Sequence, residues 1–149
     1  ASDACERLGL EVKPFSSKLR GQLKGLLREY LPPFSGTSNP LDLVWLPFEA
    51  ALTICTKCIE FIASEVDSVI FMSYLPFFIP DMRPRYIESL CQLRNRLHLP
   101  IYIVPPYAAR AAGDMKEFTI AGLPAFPSFE RAARGISATS RWQAWVSSG

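Results

Sequence analysis

Apolar residues recur along this chain at two different spacings, and the spacing changes several times between the two termini. A helical spacing is clearest in one segment whose apolar positions are Leu19, Leu23, Leu26, Leu27, Tyr30 and Leu31. The hydroxyls of Ser16 and Ser17 are placed to accept hydrogen bonds from the first amides of this helix. Pro32 and Pro33 are expected to end it.

The same spacing and a set of boundary residues predict further helices. Gly9 and Gly122 each follow one of them, which is typical of the position just after a helix. Ser128 precedes the last helix and is expected to cap it. The predicted ranges are Ala1–Leu8, Pro47–Ala63, Pro84–Leu97, Ala108–Ala121 and a final helix that begins at Phe129.

Short apolar runs between these helices predict strands. The clearest run is Asp67–Leu75, which is nearly continuous, as in strands that are covered on both faces. The other predicted strands are Leu10–Val12, Leu43–Leu46, Pro100–Val104 and Leu123–Phe126. This alternation predicts a single α/β domain over residues 1–149, with a three-layer architecture: a parallel sheet and helices on both of its faces.

The segment that follows the clearest strand is a candidate functional surface, because ligands and partner groups of open parallel sheets meet the carboxyl ends of the strands. This segment, Phe71–Tyr86, contains several large apolar side chains and three prolines. It is more apolar than a solvated loop, which indicates an interface with another domain or subunit. The alternative is a loop that folds back and seals the end of the sheet.

A second candidate segment is the loop Asn39–Leu43. Pro40 forces Asn39 towards an extended backbone, and the Asp42 carboxylate is suited to accept hydrogen bonds from amides of the turn that follows. One interpretation is a rigid latch within the fold. The other is that Asn39 and Asp42 shape a contact with another domain or with a ligand, which makes them the candidate cofactor-binding residues.

Composition and charge exclude several classes of function. The chain carries a formal charge of +2 and no clustered basic face, so nucleic-acid binding is not expected. The longest apolar stretch, Val69–Pro80, is too short to span a bilayer and is interrupted by Ser73 and Pro76. Charged residues near the amino terminus argue against a signal peptide, so a cytoplasmic protein is expected.

No residue is predicted to be catalytic or to bind a metal ion. Cys55 and Cys58 form a C-x-x-C near the middle of a predicted helix and share its apolar face, which favours buried structural cysteines. His98 is the single histidine and has no nucleophile or carboxylate near it in the sequence, so we expect it to flank a helix end. No phosphate-binding loop, metalloprotease motif or serine-hydrolase motif occurs.

Several segments match a known family in order and spacing, namely ASDACERLGLEV, LREYLPPFSGTSNPLDL, DSVIFMSYLP, LPIYIV, AGLPAF and FERAARGI. They resemble the flavodoxin-like ligase domain of the NDP-forming (ADP-forming) acyl-CoA synthetases, which are similar to succinyl-CoA synthetase. The pair LPP and NPLDL at this separation is the most specific part. The resemblance covers nearly the whole chain.

The resemblance implies a flavodoxin-like or Rossmann-like domain within a longer polypeptide. The implied whole enzyme converts acyl-CoA, NDP and phosphate to acid, CoA and NTP, and it uses CoA, ADP or ATP, and Mg²⁺. This chain would hold no cofactor alone and would be inactive by itself. Its implied partners are other domains or subunits of the synthetase, and a homodimer is left open. His98 does not match the phosphohistidine of the family.

Two features of the family domain have no counterpart in this sequence: the first buried strand and the glycine-rich turn after it. The resemblance therefore does not imply an anion-binding site at Ala1, Ser2 and Asp3. Without that strand, the two strands on either side of it would have unpaired backbone edges. We therefore expect an upstream segment or another chain to occupy its place in the sheet. Two other functions are left open: a regulatory or interaction module of a synthetase-like protein, such as a fused protein acetyltransferase, and an independent flavodoxin-like binding domain.

Overall fold

The computed structural model describes residues 2–31, 36–43, 46–106 and 112–148. It is a mixed α/β fold in which helices predominate. The helices are α1 (Ser2–Glu6), α2 (Ser17–Leu27), α3 (Phe48–Ile62), α4 (Leu75–Phe78), α5 (Arg83–Leu97), α6 (Ala112–Ile120) and α7 (Phe129–Ser147), with a 3₁₀ turn at Pro80–Met82. The strands are β1 (Val69–Met72) and β2 (Ile101–Val104).

The helix ends follow local signals in the sequence. The hydroxyls of Ser16 and Ser128 each accept a hydrogen bond of 3.2 Å from the amide three residues later, so both predicted serine caps are confirmed. Gly9 and Gly122 have φ angles of 75° and 85°. Glycine adopts this left-handed backbone without steric cost, which allows the chain to reverse directly after α1 and α6.

The two strands form a parallel pair, with Val69 opposite Ile101 at one end and Met72 opposite Val104 at the other. Three of the four residues of β2 are buried, as expected for a parallel strand with structure packed on both faces. The predicted strands at residues 67–75 and 100–104 are therefore confirmed, with shorter bounds.

The predicted strand Leu123–Phe126 is reduced to a single parallel bridge between Ala125 and Ile103. Pro124 and Pro127 lack the amide hydrogen that a longer ladder requires, which limits the pairing to one residue. Because Ile103 also pairs with β1, the bridge lies on the other side of β2 and makes β2 the inner strand.

Two other predicted strands are not strands in the described part of the chain. Leu10–Val12 has no described strand beside it, and an extended segment of three residues gains no ladder hydrogen bonds without a neighbour. Leu43 and Leu46 lie outside any strand and pack against the core instead, while residues 44 and 45 lie outside the described ranges. The prediction of an α/β fold is confirmed, but the described residues form a two-stranded sheet rather than a three-layer one.

Helix bounds differ from prediction at several places, and α1 ends at Glu6 rather than at Leu8. α2 ends at Leu27 rather than reaching Leu31, because proline at position 32 disfavours helical backbone in the residue before it and the last turn loosens. α6 is described from Ala112, since its predicted start at Ala108 lies outside the described residues. The segment after β1 is not a simple loop but contains α4 and the 3₁₀ turn.

Two apolar clusters form the core. The first surrounds the strands, and its buried members are Cys55, Ile59, Phe71, Tyr86, Leu90, Leu93, Leu99, Ile101, Ile103, Phe118 and Leu123. The second lies between α2 and α3, and its buried members are Phe15, Leu19, Leu23, Leu27, Leu31, Ile54, Cys58 and Ile62. Since α3 contributes to both clusters, it links α2 to the sheet.

Candidate functional site

The segment after β1 forms the carboxyl edge of the sheet and carries the strongest candidate surface. Met72, Tyr74 and Phe78 are 43%, 52% and 57% exposed. The rings of Tyr74 and Phe78 have their centroids 6.1 Å apart and are tilted by 42°. We call these three side chains the apolar rim. Neighbouring exposed side chains of this size are typical of a surface that packs against another domain or protein.

The apolar rim is anchored from beneath by its own neighbours in the sequence. Pro76 is buried, and the ring of Phe77 stacks on the ring of Phe118, with centroids 5.4 Å apart and an angle of 26° between the planes. Phe118 is itself completely buried in the first core cluster. Pro76 and Phe77 therefore seal the end of the sheet, as the folded-back alternative requires, while the apolar rim remains the candidate interface.

Arg83 holds this segment against α6. Its guanidinium pairs with Asp114 and with Glu117, each at 2.9 Å, and its Nε donates a hydrogen bond of 3.0 Å to the carbonyl of Pro76. A cation that is removed from water needs such partners, because desolvation of an unpaired charge is costly. One side chain thus connects α4, α5 and α6 and supports the backbone beneath the apolar rim.

Tyr86 lies beneath the same edge and is completely buried. Its hydroxyl lies near the Ser73 side chain but makes no hydrogen bond of ordinary geometry to a described residue. Burial raises the pKa of Tyr86 to about 12, although a smaller effect of the neighbouring Ser73 side chain lowers it. The phenol is therefore neutral at physiological pH.

The loop that contains Asn39 and Asp42 is tied to the segment before α2. The Asn39 side-chain amide donates a hydrogen bond of 3.0 Å to the carbonyl of Lys13, which agrees with a latch within the fold. Asp42 is exposed, and the turn that it is predicted to cap includes residues 44 and 45, outside the described ranges. A cofactor contact through Asn39 or Asp42 stays a prediction.

The C-x-x-C cysteines are buried within α3. Burial raises the pKa of Cys55 to about 12, with a smaller contribution from Cys58, and burial raises the pKa of Cys58 to about 11. Both thiols are therefore protonated at neutral pH and lack the thiolate that redox or nucleophilic chemistry requires. Within the described ranges, no group of three or more His, Cys, Asp or Glu residues is arranged to hold a metal ion.

We expect a thiol-labelling reagent to distinguish the cysteines of the native protein. Cys91 is partly exposed and should react first, whereas Cys55 and Cys58 should react readily only after unfolding, because the thiolate is the reactive form. Raising the pH towards the raised pKa values should accelerate labelling of Cys58 before that of Cys55. Mass spectrometry after timed labelling checks this, with protein unfolded in urea as the control. Rapid modification of Cys55 in the native protein at neutral pH would contradict it.

His98 lies at the end of α5, as predicted, with a left-handed backbone at φ 51°. Together with Arg94 and Tyr102 it lines an open groove of about 630 Å³ at the amino ends of the strands. Ligands of open parallel sheets bind at the opposite edge, where the apolar rim lies. The groove is therefore not part of the candidate site.

Sequence reasoning located the segment that carries the apolar rim, with Tyr74 and Phe78 among its apolar residues, but it also counted Phe77, which packs into the core, and it missed the Arg83 junction. Arg83 and Glu117 are 34 positions apart, and neither belongs to a recognisable motif. A proline-rich segment followed by an arginine is also typical of an ordinary solvated helix start. The one usable signal was the pair of acidic residues on α6, which is too common to indicate a specific partner.

Comparison with known proteins adds a separate observation. The chain is 26% identical over 152 residues to subunit alpha of an ADP-forming acetate–CoA ligase from Pyrococcus furiosus. The chain is a distant relative of this ligase subunit. The match includes 97% of the chain, which spans only 30% of the length of the subunit. No protein-family profile matches the chain. No solved structure matches it either.

The match is consistent with the family resemblance noted in the sequence, and it indicates a distant relationship. The relative is by its name one subunit of a ligase, and it extends well beyond the region that this chain matches. None of the helices in the described ranges is long and apolar enough to cross a membrane.

Proposed function

We propose that this chain is a flavodoxin-like domain of an NDP-forming acyl-CoA synthetase. In this role it contributes an interdomain interface rather than the phosphorylated histidine. The observation that carries the proposal is the distant relationship, over nearly the whole chain, to an ADP-forming acetate–CoA ligase subunit. The parallel strands and the apolar side chains at their carboxyl ends support it.

In this proposal the apolar rim meets the rest of the synthetase. It lies at the edge where α/β sheets meet their ligands and partners, and Arg83 and Phe77 hold its backbone in place. Aromatic side chains contribute much of the binding energy of protein interfaces. Tyr74 and Phe78 are therefore the residues on which assembly with the other domains depends most.

The cofactors belong to the assembled enzyme. CoA, the nucleotide and Mg²⁺ are bound mainly by other domains, and Asn39 and Asp42 are the proposed points of cofactor contact on this chain. In this proposal the ligands of Mg²⁺ come from elsewhere in the enzyme.

A chimeric subunit tests the proposal. The chain by itself should show no formation of ATP from ADP, phosphate and acetyl-CoA. When it replaces the matched region of the Pyrococcus furiosus subunit, the chimera should regain activity that a subunit lacking the region does not have. Substituting Phe78→Ser in the chimera should weaken its assembly by about tenfold or more. Ile120→Ser, another exposed apolar position, is the matched control.

Two results would overturn the proposal. The first is turnover by the isolated chain, which would mean that it holds a complete active centre. The second is a chimera that is folded and assembled but no more active than the deleted subunit. That result would favour the regulatory or interaction module as the function of this chain.

A further inference from the structure

The outer side of α2 carries a row of cations. The formal charge of the chain is only +2, but the helix brings Arg20, Lys24 and Arg28 onto one stripe, because residues four positions apart are neighbours on a helix surface. All three are exposed, and none of them forms an ion pair with another described residue. We call these three residues the basic row. Lys18 is a further exposed cation on the same helix.

The opposite side of α2 is fixed in the core. Leu19, Leu23 and Leu27 are buried in the second core cluster, between α2 and α3. The start of the helix is held as well, because the amide of Ser16 donates a hydrogen bond of 2.8 Å to the carboxylate of Glu65. The basic row is therefore presented to solvent on a helix whose orientation is set by the fold.

The counter-charges of the basic row are not found among the described residues. Glu29 is the single acidic residue between positions 12 and 41. On the neighbouring segment, Glu60 pairs with Arg96 and Glu65 is engaged by Ser16. Like charges four positions apart destabilise a helix. Carboxylates of a partner would remove this repulsion, so the charge of the basic row favours an acidic occupant.

Two glycines beside the basic row shape the surface of α2. Gly21 and Gly25 are exposed, and a Cβ atom at either position would contact no other part of the chain within 4 Å. Packing within this chain therefore does not require glycine there, although glycine destabilises a helix interior relative to alanine. Without side chains at these positions, the backbone of a partner can approach α2 closely.

We propose that the basic row binds an acidic helix of a partner protein, which packs over Gly21 and Gly25. The basic row extends over about 12 Å of α2, and carboxylates repeated every four residues along a second helix have the same spacing. Hydrogen bonds between cationic side chains and carboxylates are stronger than those between neutral groups. The basic row is distinct from the apolar rim, and the inference does not depend on the proposed function.

Lipid and nucleic acid fit the basic row less well than an acidic helix does. A helix that lies in a membrane interface inserts its apolar face, and the apolar face of α2 is occupied by α3. A DNA-binding protein commonly contacts about 6–10 phosphates. The basic row and Lys18 together provide fewer cations than that.

Fluorescence anisotropy of a labelled synthetic helix tests the inference. The probe is a stapled helical peptide with glutamate at every fourth position of one face and alanine elsewhere, and its matched control has glutamine in place of glutamate. The protein should bind the glutamate peptide about tenfold or more tightly than the glutamine peptide at low salt. Raising the NaCl concentration from about 50 mM to about 300 mM should weaken this binding, because salt screens exposed charges.

Paired variants distinguish the basic row from the net charge of the protein. K24Q/R28Q removes two cations of the basic row and should weaken binding of the glutamate peptide by about fivefold or more. R85Q/K116Q removes two exposed cations from α5 and α6 and therefore has the same net charge. It is the matched control and should bind the peptide like the wild type.

A glycine variant tests the close approach. G21A/G25A should be more resistant to urea than the wild type, because alanine favours the helix. The same variant should bind the glutamate peptide about threefold or more weakly, since the added methyl groups hold the peptide away from α2. A purely structural role of the two glycines predicts no change in binding.

Four results would overturn the inference, provided that circular dichroism shows the variants to be folded. The first is equal affinity for the glutamate and glutamine peptides. The second is an equal loss of binding in K24Q/R28Q and R85Q/K116Q, which would assign the effect to net charge. The third is a G21A/G25A variant that binds the peptide as tightly as the wild type. The fourth is displacement of the peptide by duplex DNA or phosphatidylserine vesicles at a lower concentration than by unlabelled peptide, which would assign the basic row to phosphates.

Discussion

Replacing Phe118 with alanine should lower the free energy of unfolding by about 3–5 kcal/mol, the largest effect that we expect from a single substitution. Phe118 is completely buried, and it is the one buried residue among the described positions of α6. Its ring stacks on Phe77 beneath the apolar rim. Removing the ring leaves a cavity in the first core cluster and removes the main apolar attachment of α6 to the fold.

Urea unfolding followed by circular dichroism measures this effect. Phe61 is also a helical phenylalanine but is exposed, so Phe61→Ala is the matched control and should change stability by less than about 1 kcal/mol. Because a domain of this size is stable by only about 5–15 kcal/mol, the Phe118 variant should unfold at a much lower urea concentration. Equal losses for the two variants would mean that α6 is not held by Phe118.

Replacing Arg83 with alanine should lower the free energy of unfolding by about 2–4 kcal/mol. The substitution leaves Asp114 and Glu117 without their cation and the Pro76 carbonyl without its donor. We place the loss below that of a fully buried pair, because the Glu117 side chain is 52% exposed and water screens part of its charge. The loss still exceeds that of a surface ion pair, since the Arg83 side chain is only 10% exposed.

Arg85 offers a matched control for Arg83. It lies two residues further along α5 and is exposed, so Arg85→Ala should change stability by less than about 0.5 kcal/mol. A double-mutant cycle gives a second readout: Arg83 and Phe118 both hold α6, so the losses from R83A and F118A should sum to more than the loss in the double variant. Strict additivity, or an Arg83 variant as stable as the Arg85 control, would show that the Arg83 junction does not hold α6.

The sequence predicted the long helices of this fold more accurately than its short extended segments. α3 and α5 begin and end within one residue of their predicted bounds, because each has a long apolar face and nearby boundary residues. The short extended segments were less predictable. A run such as Leu10–Val12 has the composition of a strand, yet it becomes one only if another strand lies beside it to accept its hydrogen bonds.

The candidate site was predicted only in outline. The apolar composition of Phe71–Tyr86 indicated either an interface or a sealed sheet end, and the structure shows that some of its residues seal the sheet end while others are exposed. Pro76 and Phe77 point into the core, whereas Tyr74 and Phe78 are exposed. A short helix makes this division, because neighbouring positions of a helix face different directions.

The sequence by itself determined the bounds of α3 and α5 and the capped starts of α2 and α7, that the two clearest apolar runs are strands, and that the C-x-x-C lies on a buried face. These features depend on interactions over a few residues, such as serine caps, glycine turns and apolar periodicity. Only the tertiary structure decided that Arg83 meets Asp114 and Glu117 and that Phe118 anchors α6. Those contacts depend on which distant segments pack together, and that choice follows from the burial of the whole chain rather than from any local pattern.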